Sequence, residues 1–373
     1  MPPGKAVLVS PIAESSLARD DMAVQDLACV AHVHSTFSDG TATVPEIAAA
    51  ARAGGAACVL LTDHDSRAAA RAGFEGWHDG VLVLVGQEIS TRRGHFLAFG
   101  LEHEIDHRGL TEREICAEVT ARGGFGFAAH PFSRGSRMST RIGRPHPWAD
   151  VVGCDDCGVE LWSLVTDSAE RWASPWQALS FLRRPERSLC GPPVDHLARW
   201  DALCARRRVP AIGGLDAHQT GMRVLGRTVS PMRHETYFRM LRTHVLLDHA
   251  CTGDLEHDRD AVYDALRQGR CYLGLDVLGP TSGFEFRALG PEGELVPMGA
   301  QTMLERDWTL HARSPRPARI RLLRDGAVVA ERRSRELVQY VERPGAHRIE
   351  VALPAKPECR WIVSNPIYVR ERA

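Results

Sequence analysis

The chain reads as an α/β protein: a barrel of alternating strands and helices, then a small antiparallel β-sandwich. Three observations carry this reading. Short apolar runs alternate with helix-like segments over the first three-quarters of the 373 residues. Imidazole and carboxylate side chains sit at or just past the ends of successive runs. Near Pro280 the helix signals stop, and short strands recur at regular spacing to the end.

Taken in order, the first run (residues 26–31) leads into His32-Val33-His34-Ser35, with Asp39-Gly40 just beyond. Thr43-Val44-Pro45-Glu46 is a capping box with a proline in the first turn, and Gly54-Gly55 stops the helix it opens. The second run ends in Thr62-Asp63-His64-Asp65 and the third, residues 81–85, in Gly86-Gln87-Glu88. Gly94-His95-Phe96-Leu97 follows. Thr111-Glu112-Arg113-Glu114 repeats the capping logic, and Gly123-Gly124 ends that helix before the run into His130-Pro131. An amphipathic segment at 194–207 feeds the run that ends in Asp216-Ala217-His218. Such a rhythm fits a parallel sheet with crossover helices, its polar residues gathered on one rim.

In the last part, residues 319–324 meet 327–330 across Asp325-Gly326, a strong hairpin signal. Residues 337–341 and 347–353 flank Pro344-Gly345 and suggest a second hairpin. The expected organisation is an N-terminal extension (1–26), the barrel (27–281) and the β-module (282–373).

Composition is that of an ordinary globular protein, 44% hydrophobic and 25% charged. A net charge of −1 supplies no broad field to recruit long nucleic acid or an anionic membrane, although a short oligonucleotide is still admitted as substrate. No apolar stretch approaches the roughly 20 residues of a membrane span, and the first 21 residues lack a signal-peptide core, so a cytoplasmic location is expected. Ten cysteines in a chain this long do not suggest a secreted disulfide framework, and Cys154-Asp155-Asp156-Cys157 reads as packing near a strand start.

Lone histidines such as His78 and His244 read as core or capping residues, because imidazole hydrogen-bonds readily when buried. The rim residues differ as a set. His32 and His34 are two apart, so strand alternation points both to one side, and Asp216 and His218 repeat the spacing. Glu88 follows a wholly apolar run, where a carboxylate is costly unless a cation balances it. Together they read as a metal centre.

The quoted motifs, with Ser38-Asp39-Gly40, resemble those of the PHP (polymerase and histidinol phosphatase) superfamily over roughly residues 28–225. Residues 266–272 and the tail Ser364-Asn365-Pro366-Ile367-Tyr368 are similar to a branch that includes carbaryl-type carbamate hydrolases. The resemblance implies a distorted (β/α)7 barrel and a trinuclear centre. One cation would be held by His32, His34, Glu88 and Asp216; a second by Glu88, His95 and His130; a third by Asp39, His64 and His218. Asp63 and Asp65 are expected to orient His64 from behind. A mixed nitrogen and oxygen ligand set suits zinc, manganese or iron.

The chemistry expected is hydrolysis by a metal-bridging hydroxide, with Glu88, His130, Asp216 and His218 as candidate catalytic residues. The leading substrate class is a phosphoester of a nucleotide or small phosphorylated metabolite. The alternatives are a carbamate, ester or amide hydrolase using the same centre, and a non-catalytic metal-bound binding domain. Arg93, Arg134 and Arg137 are candidate substrate contacts, with Arg92, Arg141, Arg144 and His146 nearby, because guanidinium forks match phosphate oxygens. Glu160 reads either as a pocket residue or as the partner in a salt bridge to a neighbouring strand. Trp162, Trp172 and Trp176 read chiefly as packing and otherwise as a substrate wall.

Overall fold

A computed structural model describes residues 25–138, 145–148, 154, 157–219, 222–224, 227–229 and 233–371. The N-terminal extension before residue 25, Arg141 and Arg144 therefore lie outside the described residues. The N-terminal part opens with β1 (Gln25–Val33), α1 (Val44–Gly54), β2 (Cys58–Leu61), α2 (Ala68–Arg71), β3 (Gly76–His78), β4 (Val81–Val85), β5 (Gln87–Ser90) and β6 (His95–Phe99). It continues through α3 (Glu112–Ala121), β7 (Phe125–Ala129), β8 (Gly158–Ser163), α4 (Leu164–Arg171), α5 (Pro175–Arg183), α6 (Pro185–Ser188), α7 (Val194–Cys204) and β9 (Ala211–Gly214). After the short pair β10 (Met222–Val224) and β11 (Arg227–Val229) come α8 (His234–Tyr237), β12 (Arg242–Leu247), α9 (Leu255–Gln268) and β13 (Cys271–Gly274).

Both capping boxes form, at Thr43 with Glu46 and at Thr111 with Glu114, and they open α1 and α3. In each, the glutamate carboxylate accepts from the amide and hydroxyl of the threonine, and Thr111 also accepts from the Glu114 amide. β1, β2 and β4 are parallel, as are β7, β8 and β9. The sheet is nevertheless mixed. β6 runs antiparallel to both β5 and β7, and β12 and β13 are antiparallel additions beside β1. The reason is connection length: only four residues lie between the paired Ser90 and His95, enough for a hairpin but not for a crossover. β4 passes into β5 across Gly86, and β9 is stitched to β1 through Leu215 N to Ala31 O (2.9 Å), Ala217 N to His32 O (3.1 Å) and His34 N to Ala217 O (3.0 Å). The two sheets thus share a wall filled by the apolar side chains of these strands.

The C-terminal strands are β14 (Glu285–Leu289), β15 (Leu295–Pro297), β16 (Gln301–Met303), β17 (Thr309–Arg324), β18 (Ala327–Tyr340), β19 (Gly345–Ala352), β20 (Ile362–Ser364) and β21 (Ile367–Arg370). Asp325 and Gly326 both have positive φ (49° and 83°), the geometry of the tight turn that joins β17 to β18. The second expected hairpin does not form. β17 is long enough to take β18 on one edge and β19 on the other, so residues 337–340 pair with β17 and not with β19. These strands are continuous with the sheet of β1, β2 and β4 through β20, β13 and β12, so they do not stand apart as a separate sandwich.

Contacts between the two parts are specific. Arg348 on β19 holds Asp201 on α7 through two bonds of 2.6 and 2.9 Å, both residues buried. Asn365 bonds both the amide and the carbonyl of Ala211 at 2.8 Å, which accounts for the polar residue before Pro366. The cysteines depart from expectation: Cys116 is joined to Cys154 and Cys190 to Cys359. Partners 38 and 169 residues apart are chosen by tertiary folding, which spacing does not reveal. No helix of the described residues is long and apolar enough to cross a membrane.

Candidate metal centre

All nine rim residues converge. His32 lies in a bulge of β1, where His32 and Val33 together face the single step from Leu60 to Leu61 on β2. Strand alternation is broken there, yet both His32 and His34 turn to the same pit. Asp39 comes from the loop after β1, His64 follows β2, Glu88 lies in β5 and His130 follows β7. Asp216 and His218 follow β9. His95 reaches the rim as the first residue of β6, because that strand runs the other way.

Three of these residues have left-handed backbones: His32 (φ 60°), His130 (φ 31°) and Asp216 (φ 54°). Such conformations cost on the order of 1–3 kcal/mol each and persist where the surroundings over-determine them. Part of the chain's backbone strain therefore falls on the residues that build the pit.

Glu88 is the hub. Its Oε2 lies 3.2 Å from His32 Nε2, 3.2 Å from His34 Nε2 and 3.0 Å from His64 Nδ1. Its Oε1 lies 2.8 Å from His95 Nδ1 and 3.4 Å from His130 Nε2. Asp216 Oδ1 stands 3.6, 3.7 and 3.5 Å from nitrogens of His32, His34 and His218. Asp39 Oδ1 is 3.2 Å from His218 Nε2, 3.6 Å from His64 Nε2 and 3.9 Å from His34 Nδ1. The rings of His34 and His218 stack at 3.9 Å.

The electrostatics follow from this crowding. Burial pushes the Glu88 carboxyl up, but the surrounding imidazoles, His32 first, hold it well below the usual range. Burial lifts Asp39 too, yet the bond and charge of His218 bring it down to about 2. For His34, burial dominates and lowers the ring to about 4. His218 goes the other way: burial works against its charge, but Asp39 and Asp216 raise it to about 9.

The donor set fits a metal on an observation independent of these shifts. His32 Nε2, both ring nitrogens of His34, Glu88 Oε2 and His130 Nδ1 are buried with no hydrogen-bond partner. The His32 ring offers its other nitrogen to Glu160 Oε1 at 2.9 Å, so with a neutral ring its Nε2 lone pair faces carboxylate oxygens. Two acceptors facing each other at such distances repel unless a cation lies between them. Groups of ligand atoms able to hold an ion include His34, Asp39, His64 and His218; His32, His34 and Asp216; His32, Glu88 and His130; and His64, Glu88 and His95.

Supporting residues differ from the expected ones. Asp63 does not orient His64. It accepts from Ser35 N (2.8 Å), Ser35 Oγ (2.7 Å) and Ser38 Oγ (2.6 Å), and so shapes the loop that carries Asp39. Asp65 binds Ser90 N at 2.9 Å, and it is the Ser90 hydroxyl that meets His64 Nδ1 at 2.7 Å. Side-chain direction at the end of β2 decides this, and sequence adjacency does not reveal it. Gly40 packs against the His34 carbonyl with no room for a Cβ, which explains the glycine after Asp39. Thr166 Oγ1 donates to Asp216 Oδ2 at 2.5 Å.

Among the arginines, Arg134 pairs with Asp195, while Ser133 Oγ and the Arg134 and Gly135 amides bind Glu170 Oε1. Arg93 and Arg137 are exposed. From the same loop it is His146 that reaches the centre, its ring stacked on His95 at 4.5 Å. Trp162 is buried and Trp172 packs against Phe181, but Trp176 is 78% exposed, so it is not a core packing residue. Glu160 is 1% exposed and pairs with His32 on β1, a strand that does not adjoin β8, and not with either neighbouring strand's side chains as the sequence suggested. Its signal in the sequence was a single charge inside the run Gly158-Val159-Glu160-Leu161-Trp162.

No family model matches the chain, and no curated protein matches it. Solved structures do. A two-domain protein of Bacteroides vulgatus, containing a proposed PHP-like metal-dependent phosphoesterase, is similar at 16% identity and a TM-score of 0.43, over 93% of this chain and 96% of that one. A proposed metal-dependent phosphoesterase of Bifidobacterium adolescentis is similar at 18% identity and 0.31, over 56% and 93%. An amidohydrolase of Chromobacterium violaceum, solved with sulfate and without metal, is similar at 17% and 0.29, over 51% and 87%. Likenesses this distant carry no argument about activity, which rests on the geometry above.

Proposed function

We propose that this chain is a metal-dependent hydrolase of the PHP type, acting on phosphoesters of a nucleotide or another small phosphorylated metabolite. One observation carries the reading: a buried carboxylate, Glu88, faces five imidazoles while its Oε2 accepts no hydrogen bond. Buried charge is tolerated when paired or coordinated, and a cation satisfies every member of this set at once.

His32, His34, Glu88 and Asp216 would hold one ion, Glu88 with His95 and His130 a second, and Asp39 with His64 and His218 a third. Zinc, manganese and iron suit these ligands. Divalent cations bound there acidify water near neutral pH and neutralise charge on phosphate oxygens. The chain itself supplies orientation. The Ser90 hydroxyl fixes the His64 ring, Thr166 fixes the free oxygen of Asp216, and Asp63 sets the loop of Asp39. Arg93 and Arg137, whose side chains are exposed, are the proposed contacts to the substrate phosphate.

The test is elemental analysis of the purified protein, followed by incubation of the metal-loaded form with p-nitrophenyl phosphate, bis-p-nitrophenyl phosphate and 1-naphthyl methylcarbamate. Cleavage of a phosphate ester is the expected result. Cleavage of the carbamate alone would move the chain to the carbamate-hydrolase branch, and bound metal without turnover of any of them would leave a binding domain.

A further inference from the structure

We infer that Glu160 is the positioning residue of the metal centre, fixing two ligands from different strands and setting the tautomer of His32. This rests on the metal-centre reading above and assigns a role that the nine rim residues do not fill. Glu160 lies in β8, 1% exposed, behind the pit and not in it. Its Oε1 is 2.9 Å from His32 Nδ1 and its Oε2 accepts the His130 backbone amide at 2.7 Å.

The two bonds do different things. Accepting from Nδ1–H leaves the lone pair of His32 on Nε2, the nitrogen that faces Glu88 and Asp216. Accepting from the His130 amide anchors the strained residue whose φ is 31°. One carboxylate therefore couples β1 to the end of β7, and it does so from β8, which pairs with β7 on one side and β9 on the other. Room for it is made by Gly214: a Cβ there would land on Glu160 Oε1 and come within 3.0 Å of His32 Cβ. A carboxylate behind a ligating imidazole typically contributes about 10–100-fold in metal affinity.

Chemistry makes the inference sharp, because a carboxylate can accept from both partners at once and a carboxamide of the same shape cannot. In Glu160→Gln, the amide oxygen can face the His130 N–H, which leaves the NH2 donating to His32 Nδ1. The ring proton then moves to Nε2 and blocks the ligating nitrogen. In the opposite orientation, the NH2 confronts the His130 N–H, donor against donor. Neither orientation keeps both ligands in place. Glu160→Asp, one methylene shorter, does not rescue, since it cannot span both partners.

The experiment measures zinc and manganese affinity by competition with a chromophoric chelator, together with the melting temperature of the metal-free and metal-loaded forms. Wild type, E160Q, E160D and G214A are compared; the last displaces the carboxylate and leaves all nine rim residues intact. The expected result is an affinity about 10–100-fold lower in the variants that fold, with a smaller metal-induced rise in melting temperature. Variants that bind metal as tightly as wild type, whatever their melting temperature, overturn the inference and leave Glu160 a structural ion pair. Wild type that binds no metal overturns the underlying reading instead, so the two failures are distinguishable.

Discussion

Among the described residues, two clusters of histidine and carboxylate, one at the rim and one at the junction with the C-terminal strands, differ in whether their buried polar atoms are satisfied. At the junction of β1, β12 and β13, His244 Nδ1 meets Asp26 Oδ1 at 2.7 Å and its Nε2 meets the Thr281 hydroxyl at 2.8 Å. Its ring stacks on Tyr272 at 4.6 Å, and the Tyr272 hydroxyl donates to Asp26 Oδ2 at 2.6 Å. Asp276 is held by Arg242 (2.8 Å) and by the Thr281 amide (2.9 Å). No side-chain polar atom of this cluster is orphaned, whereas five ring or carboxylate atoms of the rim cluster are. A closed network has no unfilled valence for a ligand and holds strands together. An open one has ligand positions to spare. Residue type does not separate the two, but satisfaction does.

The comparison breaks most sharply by mutation of the rim. His34→Ala or Glu88→Gln is expected to lower turnover by more than about 100-fold, beyond the loss of a residue that only supports a ligand. Circular dichroism should still report a folded chain. Residual activity within tenfold of wild type would count against the centre.

At the junction the effect should appear in stability. His244→Ala leaves Asp26 without its main partner, and breaking such a buried pair costs about 3–5 kcal/mol. At roughly 2–4 °C per kcal/mol, the melting temperature should fall on the order of 10 °C. Metal content should be unchanged; a variant that loses its metal would merge the two clusters into one.

The pH dependence sharpens the same contrast. Burial opposes charge on His244, but the bonds to Asp26 and Asp276 win and raise it to about 9. A folded value above the unfolded one, near ~6.5, means the contribution is full below that pH and fades as pH rises through about 9. Asp26 and Asp276, burial notwithstanding, are lowered by the same histidine. Their share is present above the ordinary carboxylate range and is lost as pH falls through their lowered values. Melting curves of the metal-free protein between pH 6 and 10 should show the alkaline loss, and His244→Gln should reduce it, leaving the share of His218, which is also raised to about 9. Equal slopes in both would disprove the assignment.

Smaller effects should come from the loops. Gly40→Ala pushes against the His34 carbonyl and shifts Asp39, so turnover should drop about tenfold, the equivalent of roughly 1.4 kcal/mol, with the Glu88 hub still loaded. Arg93→Ala should raise KM for a phosphate ester by about tenfold, the worth of one charged hydrogen bond. Arg134→Ala should leave KM nearly unaltered, because one nitrogen of its guanidinium already pairs with Asp195. Steady-state kinetics on the three variants would check the ranking.

The legible parts of this molecule are those set by local chemistry. Thr43 and Thr111 announced their helices because a cap is completed within four residues. Asp325-Gly326 announced its hairpin because positive φ at both positions demands such residues. The rim residues were visible because ionisable side chains beside apolar runs need a balancing charge, and His78 and His244 read correctly as satisfied, His78 by the Phe74 carbonyl at 2.8 Å. What stayed hidden is settled by partners distant in the chain. The choice of β17 over β18 as the neighbour of β19, the joining of Cys190 to Cys359, and the turn of Asp63 toward Ser35 all depend on tertiary packing. Glu160 stood in plain view, but the ligand behind which it sits is 128 residues away.

The most direct test of the account is the metal content of wild type, Glu88→Gln and His244→Gln after loading with zinc or manganese and exhaustive dialysis. More than one equivalent per chain should remain in wild type and in His244→Gln, and the bound metal should collapse in Glu88→Gln. A wild-type protein that emerges from dialysis without metal, or a Glu88→Gln protein that keeps all of it, would contradict the claim that the orphaned rim cluster is a metal centre.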